Sequence, residues 1–147
     1  MSSRTDPLVG FHFAIEIQGI VTGYFTECTG IGSEHEVIEH KIVDDRGREL
    51  IHKIPGRLKW GKITLKRGIT DNMDIWDWRQ NIVDGLVEDH RKNGSIVMFD
   101  QALEERARWN FENAWPVKVS GPSVKADSNE FGIEELVLTH EGLTRVS

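Results

Sequence analysis

The chain has 147 residues, of which 38% are hydrophobic and 29% charged, a balance that is typical of globular proteins and excludes general disorder. Its net charge of -6 argues against a general nucleic-acid-binding protein, which needs clustered lysine and arginine. Cys28 is the only cysteine, so neither an intrachain disulfide nor a multi-cysteine metal site can form.

The length predicts a single domain over residues 1–147, with residues 1–7 as a flexible tail. The N-terminus lacks the apolar core of a signal peptide, and no apolar run approaches the roughly 18 residues of a membrane span. We therefore expect a protein that is made in the cytoplasm without a Sec-type signal and does not itself insert into a membrane.

The chain begins with the alternation of β-strands. In residues 10–19 the large apolar side chains share one parity, which predicts a half-buried strand. These side chains are Phe11, Phe13, Ile15 and Ile17. A second strand is predicted over residues 20–32, where Gly30 and Gly32 end it.

A long hairpin is predicted next. Residues 34–43 and 50–54 have the composition of its two strands, and the polar segment 44–49 has that of its turn. Pro55 and Gly56 are expected to end the hairpin, because proline and glycine interrupt strands.

One further strand and one helix follow the hairpin. The strand, over residues 58–68, changes its apolar parity at Gly61, where a β-bulge is expected. The helix is predicted over residues 71–87, with Thr70 or Asp71 as its cap. Its apolar stripe, spaced at three and four residues, consists of Ile75, Trp78, Ile82 and Leu86.

The last third of the chain alternates again. The predicted segments are, in order, strand 95–101, turn 102–105, strand 106–112, strand 115–121, polar loop 125–130 and strand 131–142. Several strands with a single helix predict a mainly β, antiparallel fold and argue against a βαβ arrangement.

Three segments carry apolar residues on both parities. They are residues 37–43, 96–99 and 133–138. Such strands are usually buried on both faces, yet a modest antiparallel domain has few strands that can be central in this way. Either these are short core strands with loose alternation, or other subunits cover their outer faces.

The segment SEHEVIEHK, residues 33–41, is the most metal-like part of the sequence. A zinc-hydrolase helix needs two histidines four residues apart, whereas His35 and His40 are five apart. On a strand their side chains would point to opposite faces. The segment GRLKWGK, residues 56–62, has the spacing of a phosphate-binding loop but lacks its Ser or Thr and the helix that should follow. We therefore expect no catalytic site, no metal and no cofactor.

Six strings in a fixed order resemble one protein family. They are YFTECTGIG (24–32), LKWGKITLKRGIT (58–70), DIWDWRQNI (74–82), RKNGSIVMFDQ (91–101), ARWNFENAWPVKVSGP (107–122) and NEFGIEELVLTHEGL (129–143). Together they are similar to the tail tube proteins of contractile phages, and most closely to the inner-tube proteins of phage-tail-like contractile injection systems. The resemblance spans residues 8–146.

The resemblance implies a small antiparallel β-barrel or sandwich with one flanking α-helix, assembled as hexameric rings that stack into a hollow tube inside a contractile sheath. On contraction the tube conveys cargo through a target envelope. The implied partners are further copies of the chain, the sheath protein, the baseplate and its tube initiator, a terminal cap, and effector cargo or, in a phage, DNA. A tail tube protein has no active site and needs no cofactor.

The resemblance also implies which residues make contacts. The hairpin 34–54 is expected to reach the adjacent ring, with Asp44, Asp45, Arg46, Gly47, Arg48 and Glu49 at its tip. Glu36 and Glu39, in its first strand, are candidates for the subunit or the ring interface. The aromatic residues expected in the core or at the subunit seam are Trp60, Trp78, Trp109, Phe111 and Trp115. For the tryptophans, a stacking platform for sugars or single strands is the alternative.

Three functions remain open from the sequence. The chain could be the repeating tube subunit, a tube-initiator paralogue that forms a single ring at the baseplate, or a β-barrel binding module or metal hydrolase built around the His/Glu segment. Whether the particle is a phage tail or an injection system, inside the cell or released from it, also remains open.

Overall fold

The computed structural model describes residues 11–18, 20–122 and 132–147. These residues form β1 (His12–Ile17), β2 (Ile20–Phe25), β3 (Glu27–Thr29), β4 (Ser33–Val43), β5 (Glu49–Trp60), β6 (Ile63–Gly68), α1 (Asp74–Val83), a 3-10 turn (Glu88–His90), β7 (Lys92–Phe99), β8 (Glu105–Ser120), β9 (Ile133–Thr139) and β10 (Gly142–Arg145). The predicted mainly β, antiparallel fold with one flanking α-helix is confirmed. The predicted tail 1–7 and polar loop 125–130 lie outside the described residues.

The main sheet closes into a barrel through one stretch of chain that pairs on two sides. The strand order is β2-β1-β7-β8-β9-β6-β3, and β2 and β3, at the two ends of this order, are consecutive in the chain. Between them the backbone N–H of Thr26 donates to the carbonyl oxygen of Lys66 at 2.9 Å. The chain therefore changes its pairing partner from β1 to β6 near Thr26. Residues 20–32 form two strands, and the predicted single strand is wrong.

In most strands the apolar side chains of one parity point into the barrel interior. Its buried core consists of Ile15, Phe25, Ile63, Leu65, Ile75, Trp78, Ile96, Phe111, Ala114, Leu136 and Leu138. Phe13 and Ile17 pack against this core, as the alternation of the first strand predicts. Ala14, on the opposite parity, is nevertheless buried, and this small side chain lies between Tyr24 and Val97 of the two neighbouring strands.

Helix α1 buries Ile75, Trp78 and Ile82 against the barrel, as its apolar stripe predicts. It is shorter than the predicted 71–87, because Gly85 adopts a left-handed φ of 86° and ends it. Leu86 consequently lies beyond the helix and is exposed.

The predicted cap of α1 is wrong. The side chain of the N-cap residue, Met73, makes no capping hydrogen bond. Instead the side-chain oxygen of Asn72 accepts a hydrogen bond from the N–H of Asp74 at 2.8 Å. Thr70 acts one step earlier, since its hydroxyl oxygen accepts from the N–H of Asn72 at 2.8 Å. Two short side-chain turns therefore lead the chain into the helix.

The segment around Gly61 differs from its prediction in two ways. Strand β5 runs through Pro55 and Gly56 to Trp60, with its register shifted against β4 near Val37, so these residues do not end the hairpin. Proline is tolerated there because a two-stranded hairpin leaves each outer edge without a partner strand. The parity change at Gly61 is not a bulge, because one strand ends at Trp60 and the next begins at Ile63.

The two strands predicted at 106–112 and 115–121 form one long strand, β8. Its register against β7 shifts at Asn113, which has a φ of 50°, a conformation that asparagine tolerates. The first half of β8 pairs with β7 and β10, and the second half pairs with β9. β10 is a separate strand that the sequence pattern did not predict.

A buried ion pair joins β6, β9 and α1. Arg67 and Glu134 have side chains that are only 4% exposed, and Nε of Arg67 lies 3.0 Å from Oε2 of Glu134. The other carboxylate oxygen of Glu134 accepts from the indole N–H of Trp76 at 3.0 Å. The guanidinium also donates to the carbonyl oxygen of Asn72 at 3.1 Å and lies over the Phe25 ring. The pair thus fixes both the start and the first turn of the helix on the barrel.

The segments with apolar residues on both parities have different environments. In β7, Ile96 and Val97 are both buried, and in β9 the same holds for Leu136 and Val137. These two segments are core strands of this chain. Residues 37–43, in contrast, are exposed on both faces.

Candidate assembly interface

The hairpin formed by β4 and β5 stands clear of the barrel. Every residue of β4 is exposed, and in β5 only Gly56 and Trp60 are partly covered. Aliphatic side chains are among the exposed residues, with Val37 63% and Val43 69% exposed. A two-stranded hairpin is marginally stable alone in water, and contiguous exposed apolar side chains mark interaction sites. The hairpin is therefore the strongest candidate interface in the described residues.

The register of the hairpin gives it two faces of different character, because residues directly opposite each other share a face. One, which we call the histidine face, carries Ile38, His40 and Ile42 opposite Ile54, His52 and Leu50. The other, which we call the charged face, carries Val37, Glu39, Lys41 and Val43 opposite Pro55, Lys53, Ile51 and Glu49. The first is aliphatic around two histidines, whereas the second alternates charged and apolar side chains.

The tip of the hairpin is a tight turn organised by Asp44. Its carboxylate accepts hydrogen bonds from the N–H groups of Arg48 at 2.8 Å and Arg46 at 2.9 Å, and from Nε of Arg48 at 3.0 Å. The hydrogen bond from the Arg48 backbone, followed by those from Arg46 and the Arg48 side chain, lowers the pKa of Asp44. Gly47, with a φ of 77°, supplies the left-handed turn residue. Of the tip residues predicted to make contacts, Asp45 is exposed at the turn, whereas Asp44 and Arg48 bind each other.

The remaining predicted contact residues lie along the strands. Glu36 forms an ion pair with Lys59 at 2.9 Å near the base, and Glu49 lies 3.9 Å from Lys41 near the tip. Glu39 is exposed on the charged face, directly opposite Lys53. The structure thus places Glu36, Glu39 and Glu49 at separate points of the hairpin.

The base of the hairpin is a close crossing of the chain. The N–H of Gly61 donates to the carbonyl oxygen of Gly32 at 3.2 Å. Gly30, with a φ of 86°, has no room for a side chain, because a Cβ there would overlap the carbonyl oxygen of Lys62. The segments that enter and leave the hairpin are therefore held together, which sets its direction relative to the barrel.

His140 reinforces this base from the end of β9. Its Nε2 lies 3.1 Å from the carbonyl oxygen of Gly61, and its Nδ1 lies 3.1 Å from that of Gly142. The Trp60 ring packs on the imidazole with centroids 5.6 Å apart. Burial lowers the pKa of His140, and the hydrogen bonds to the two carbonyl groups oppose that shift.

We expect the folded subunit to lose stability in mild acid partly through His140. Because its folded pKa is below the ordinary value of about 6.5, the unfolded chain takes up the proton first as the pH falls. The stability that neutral His140 contributes is thus present above that value and is lost as the pH falls toward the folded pKa. Urea unfolding of dispersed subunits at pH 7.5 and 5.5 should show a smaller pH dependence for His140→Gln. An unchanged dependence would contradict this role.

The five aromatic residues predicted for the core or the seam have different surroundings. Phe111 is in the core, and so is Trp78, whose indole N–H donates to the carbonyl oxygen of His90 at 2.7 Å. Trp109 packs against the core from β8 with Arg145 over its ring. Trp115 is half-buried in the second part of β8, and Trp60 lies at the hairpin base. These positions do not form a common stacking surface.

The structure also shows how the chemical motifs are arranged. His35 and His40 lie on opposite faces of β4, as the strand pattern predicts, and among the described residues no group of three or more His, Cys, Asp or Glu could hold a metal ion. Residues 56–62 run from one strand toward another, β6, and not into a helix. Burial raises the pKa of Cys28 to about 12. Within the described ranges, no α-helix combines the length and apolarity needed to cross a membrane.

A closed barrel with a projecting hairpin that exposes aliphatic side chains has the features of a structural assembly subunit. The model of the T4-like virus tail tube protein gp19 family matches residues 9–144. The chain belongs to this family, whose members are structural tail tube proteins. None of the curated proteins compared with it is a match.

Solved structures support the same assignment. The chain is similar to the tube terminating cap of the anti-feeding prophage, with 26% identity over 92% of this chain and 87% of that one and a TM-score of 0.72. It is similar to a chain of the extended sheath-tube complex of the extracellular contractile injection system PVC, with 25% identity over 96% and 90% and a TM-score of 0.74. Hcp1 from Flavobacterium johnsoniae shares the fold, with 14% identity over 90% and 93% and a TM-score of 0.54.

Proposed function

We propose that the chain is the repeating subunit of the inner tube of a contractile injection system. Its copies would form hexameric rings, and the rings would stack into a hollow tube that conveys cargo through a target envelope when the surrounding sheath contracts. The observation that carries this proposal is the β4–β5 hairpin, which exposes aliphatic side chains on both faces. Membership of the tail tube family and the likeness to a chain of a sheath-tube complex support it.

Leaving the hairpin uncovered costs free energy, because its aliphatic side chains remain in water. Each aliphatic side chain removed from water contributes about 1.5–3 kcal/mol when fully buried, and the hairpin offers several. A contact between two different surfaces of one chain closes into a ring if the rotation allows and otherwise continues as a filament. In a stack of rings, one such contact closes each ring and another continues from one ring to the next. The remaining proposed partners are the sheath, the baseplate with its tube initiator, a terminal cap and effector cargo.

A second role within the same particle is supported by the comparisons. One similar structure is a tube terminating cap, and another, at 21% identity, comes from a sheath/tube terminator. Such proteins, like an initiator at the baseplate, would be present as one ring in each particle. Counting the chain against the sheath protein by quantitative mass spectrometry of intact particles separates the roles: a repeating subunit is as abundant as the sheath, and a terminal ring is many times rarer.

Negative-stain microscopy of the purified protein tests the proposal directly. At high concentration we expect rings of uniform bore, and tubes where rings have stacked. A chain that stays strictly monomeric at high concentration, with no tube visible in native particles, would contradict the proposal. Phage and injection system are distinguished by the neighbouring genes, since capsid and terminase genes belong to a phage.

Charge reversal on the hairpin provides a second test. Glu36→Lys breaks the ion pair with Lys59, and Glu39→Lys sets a lysine opposite Lys53. Because exposed ion pairs contribute about 0.2–1 kcal/mol, we expect each variant to weaken ring closure or stacking only a few-fold. Sedimentation of assembled material measures this. Unchanged polymerisation of both variants would show that these charges do not hold the tube.

A further inference from the structure

The two histidines of the histidine face lie directly opposite each other. His40 of β4 pairs with His52 of β5, and the pairs on either side are Ile38 with Ile54 and Ile42 with Leu50. Two imidazole rings therefore occupy the centre of a patch of four aliphatic side chains. Only the register of the hairpin brings them together, because they are twelve residues apart in the sequence.

The two faces differ in the free-energy cost of covering them with a partner protein. On the charged face Lys41 lies 3.9 Å from Glu49 and Glu39 is directly opposite Lys53, so its charges are balanced within the hairpin. Covering that face would remove these charges from water at a cost. Between its base and its tip the histidine face carries only two imidazoles and four aliphatic side chains, so covering it with the imidazoles neutral costs little and buries the four aliphatic side chains. The histidine face is therefore the one suited to docking.

A second copy of this chain is the occupant that the proposed tube function supplies, because the chain belongs to a tail tube family and is similar to a chain of a sheath-tube complex. Its barrel also exposes aliphatic side chains. Ile69 and Ile133 are 63% and 51% exposed, at adjacent strand ends but on opposite faces, because Ile133 pairs with Gly68. A contact between the hairpin of one copy and the barrel of the next is head-to-tail, which is the type that the proposed ring and tube require.

We propose that the histidine face docks on a neighbouring copy, and that the His40–His52 pair makes this contact release in mild acid. The inference rests on the proposed tube function. Exposed imidazoles generally carry a proton below about pH 6. Two protonated rings in a covered aliphatic patch would repel each other and would each lose hydration, so the covered state requires the neutral form. Assembly at lower pH must therefore remove two protons per contact.

The charged groups around the pair do not compensate for this. β4 and β5 pack chiefly on each other, and the side chains next to the histidines along the strands, Glu39, Lys41 and Lys53, point to the charged face. Along the histidine face itself, Glu36 is bound to Lys59 at 2.9 Å and Asp44 to Arg48 at 3.0 Å. These two carboxylates are thus already paired with a cation, and Glu34, nearer the base on the same parity, lies directly opposite Lys59.

Linkage gives the expected size of the effect. The association constant for adding a subunit should fall by up to about tenfold per pH unit for each histidine that loses a proton on docking. For the pair, the logarithm of this constant should fall as the pH is lowered, with a slope that approaches two below about pH 6. His40→Gln or His52→Gln alone should reduce the slope to about one, and the double variant should remove this dependence.

The experiment measures assembled and free protein by sedimentation at several pH values, for the full chain and for the variants. His35→Gln is the matched control, because His35 lies on the same strand but on the opposite face and should leave the slope unchanged. Tryptophan fluorescence at each pH establishes that free subunits remain folded. His140 is present in every variant, so its effect on folding cancels.

The outcomes separate this inference from the tube function. Assembly at pH 7.5 whose loss in acid becomes weaker with each histidine replaced would support it. Assembly at pH 7.5 with equal slopes for the full chain and the double variant would overturn the inference and leave the tube function intact. A purified chain that stays monomeric at pH 7.5, with no tube visible in native particles, would overturn both.

Discussion

Ile54→Asp will abolish assembly while leaving the barrel folded. Ile54 is exposed on the histidine face of the isolated subunit, so the substitution removes no contact of the core. In the assembled state the carboxylate would be covered by a neighbouring copy without a cation opposite it, which costs several kcal/mol. We expect the association constant to fall by more than about a hundredfold. Sedimentation and negative-stain microscopy measure the loss, and thermal unfolding checks the barrel.

Ile51→Asp is the matched control for this prediction. Ile51 is also an exposed isoleucine of β5, but it lies on the charged face, directly opposite Lys41. The new carboxylate would meet a cation there and would remain in water, so we expect assembly to continue. Normal tubes formed by Ile54→Asp, or equal loss in both variants, would contradict docking through the histidine face.

Arg67→Met will destabilise the subunit by about 3–5 kcal/mol, because it leaves the Glu134 carboxylate buried without its cation. The loss is a large part of the roughly 5–15 kcal/mol that stabilises a typical domain. It should also loosen α1, since Asn72 loses its donor and Trp76 remains bound to an unbalanced charge. Urea unfolding of dispersed subunits, followed by tryptophan fluorescence, measures the change.

The double variant Arg67→Met with Glu134→Gln separates charge from packing. It removes both charges and keeps a side-chain oxygen that can accept from the Trp76 indole. We expect it to be within about 1.5 kcal/mol of the unmodified chain, because replacing both members of a buried pair is far less costly than removing one. A loss below about 1 kcal/mol for Arg67→Met alone would show that the pair is not buried in solution.

The hairpin was predictable because its signal is local. Two strands with β-branched residues on both sides of a turn containing Gly47 need no distant information, and the structure has them where the pattern indicates. Its end was not predictable. Pro55 normally interrupts a strand, but in a hairpin that stands clear of the barrel its missing N–H faces no partner strand, so β5 continues to Trp60.

Neither the histidine face nor the contacts that hold α1 on the barrel could be derived from local patterns. His40 and His52 share a face only because the hairpin has one particular register, and a shift of one residue would separate them. Arg67 and Glu134 are 67 residues apart, and His140 reaches Gly61 across 79 residues. Periodicity reports which side of an element is apolar, but it does not report which polar side chains meet across the barrel.

Hydrogen exchange of the hairpin in assembled and dispersed protein tests the central claim most directly. Tubes of the unmodified chain would be compared with free subunits of Ile54→Asp at the same pH, following the peptides that cover β4 and β5. If the hairpin is covered by neighbouring copies, exchange there should slow by at least about tenfold on assembly, while the barrel strands change little. Equal exchange of the hairpin in the two states would show that the copies are held together elsewhere.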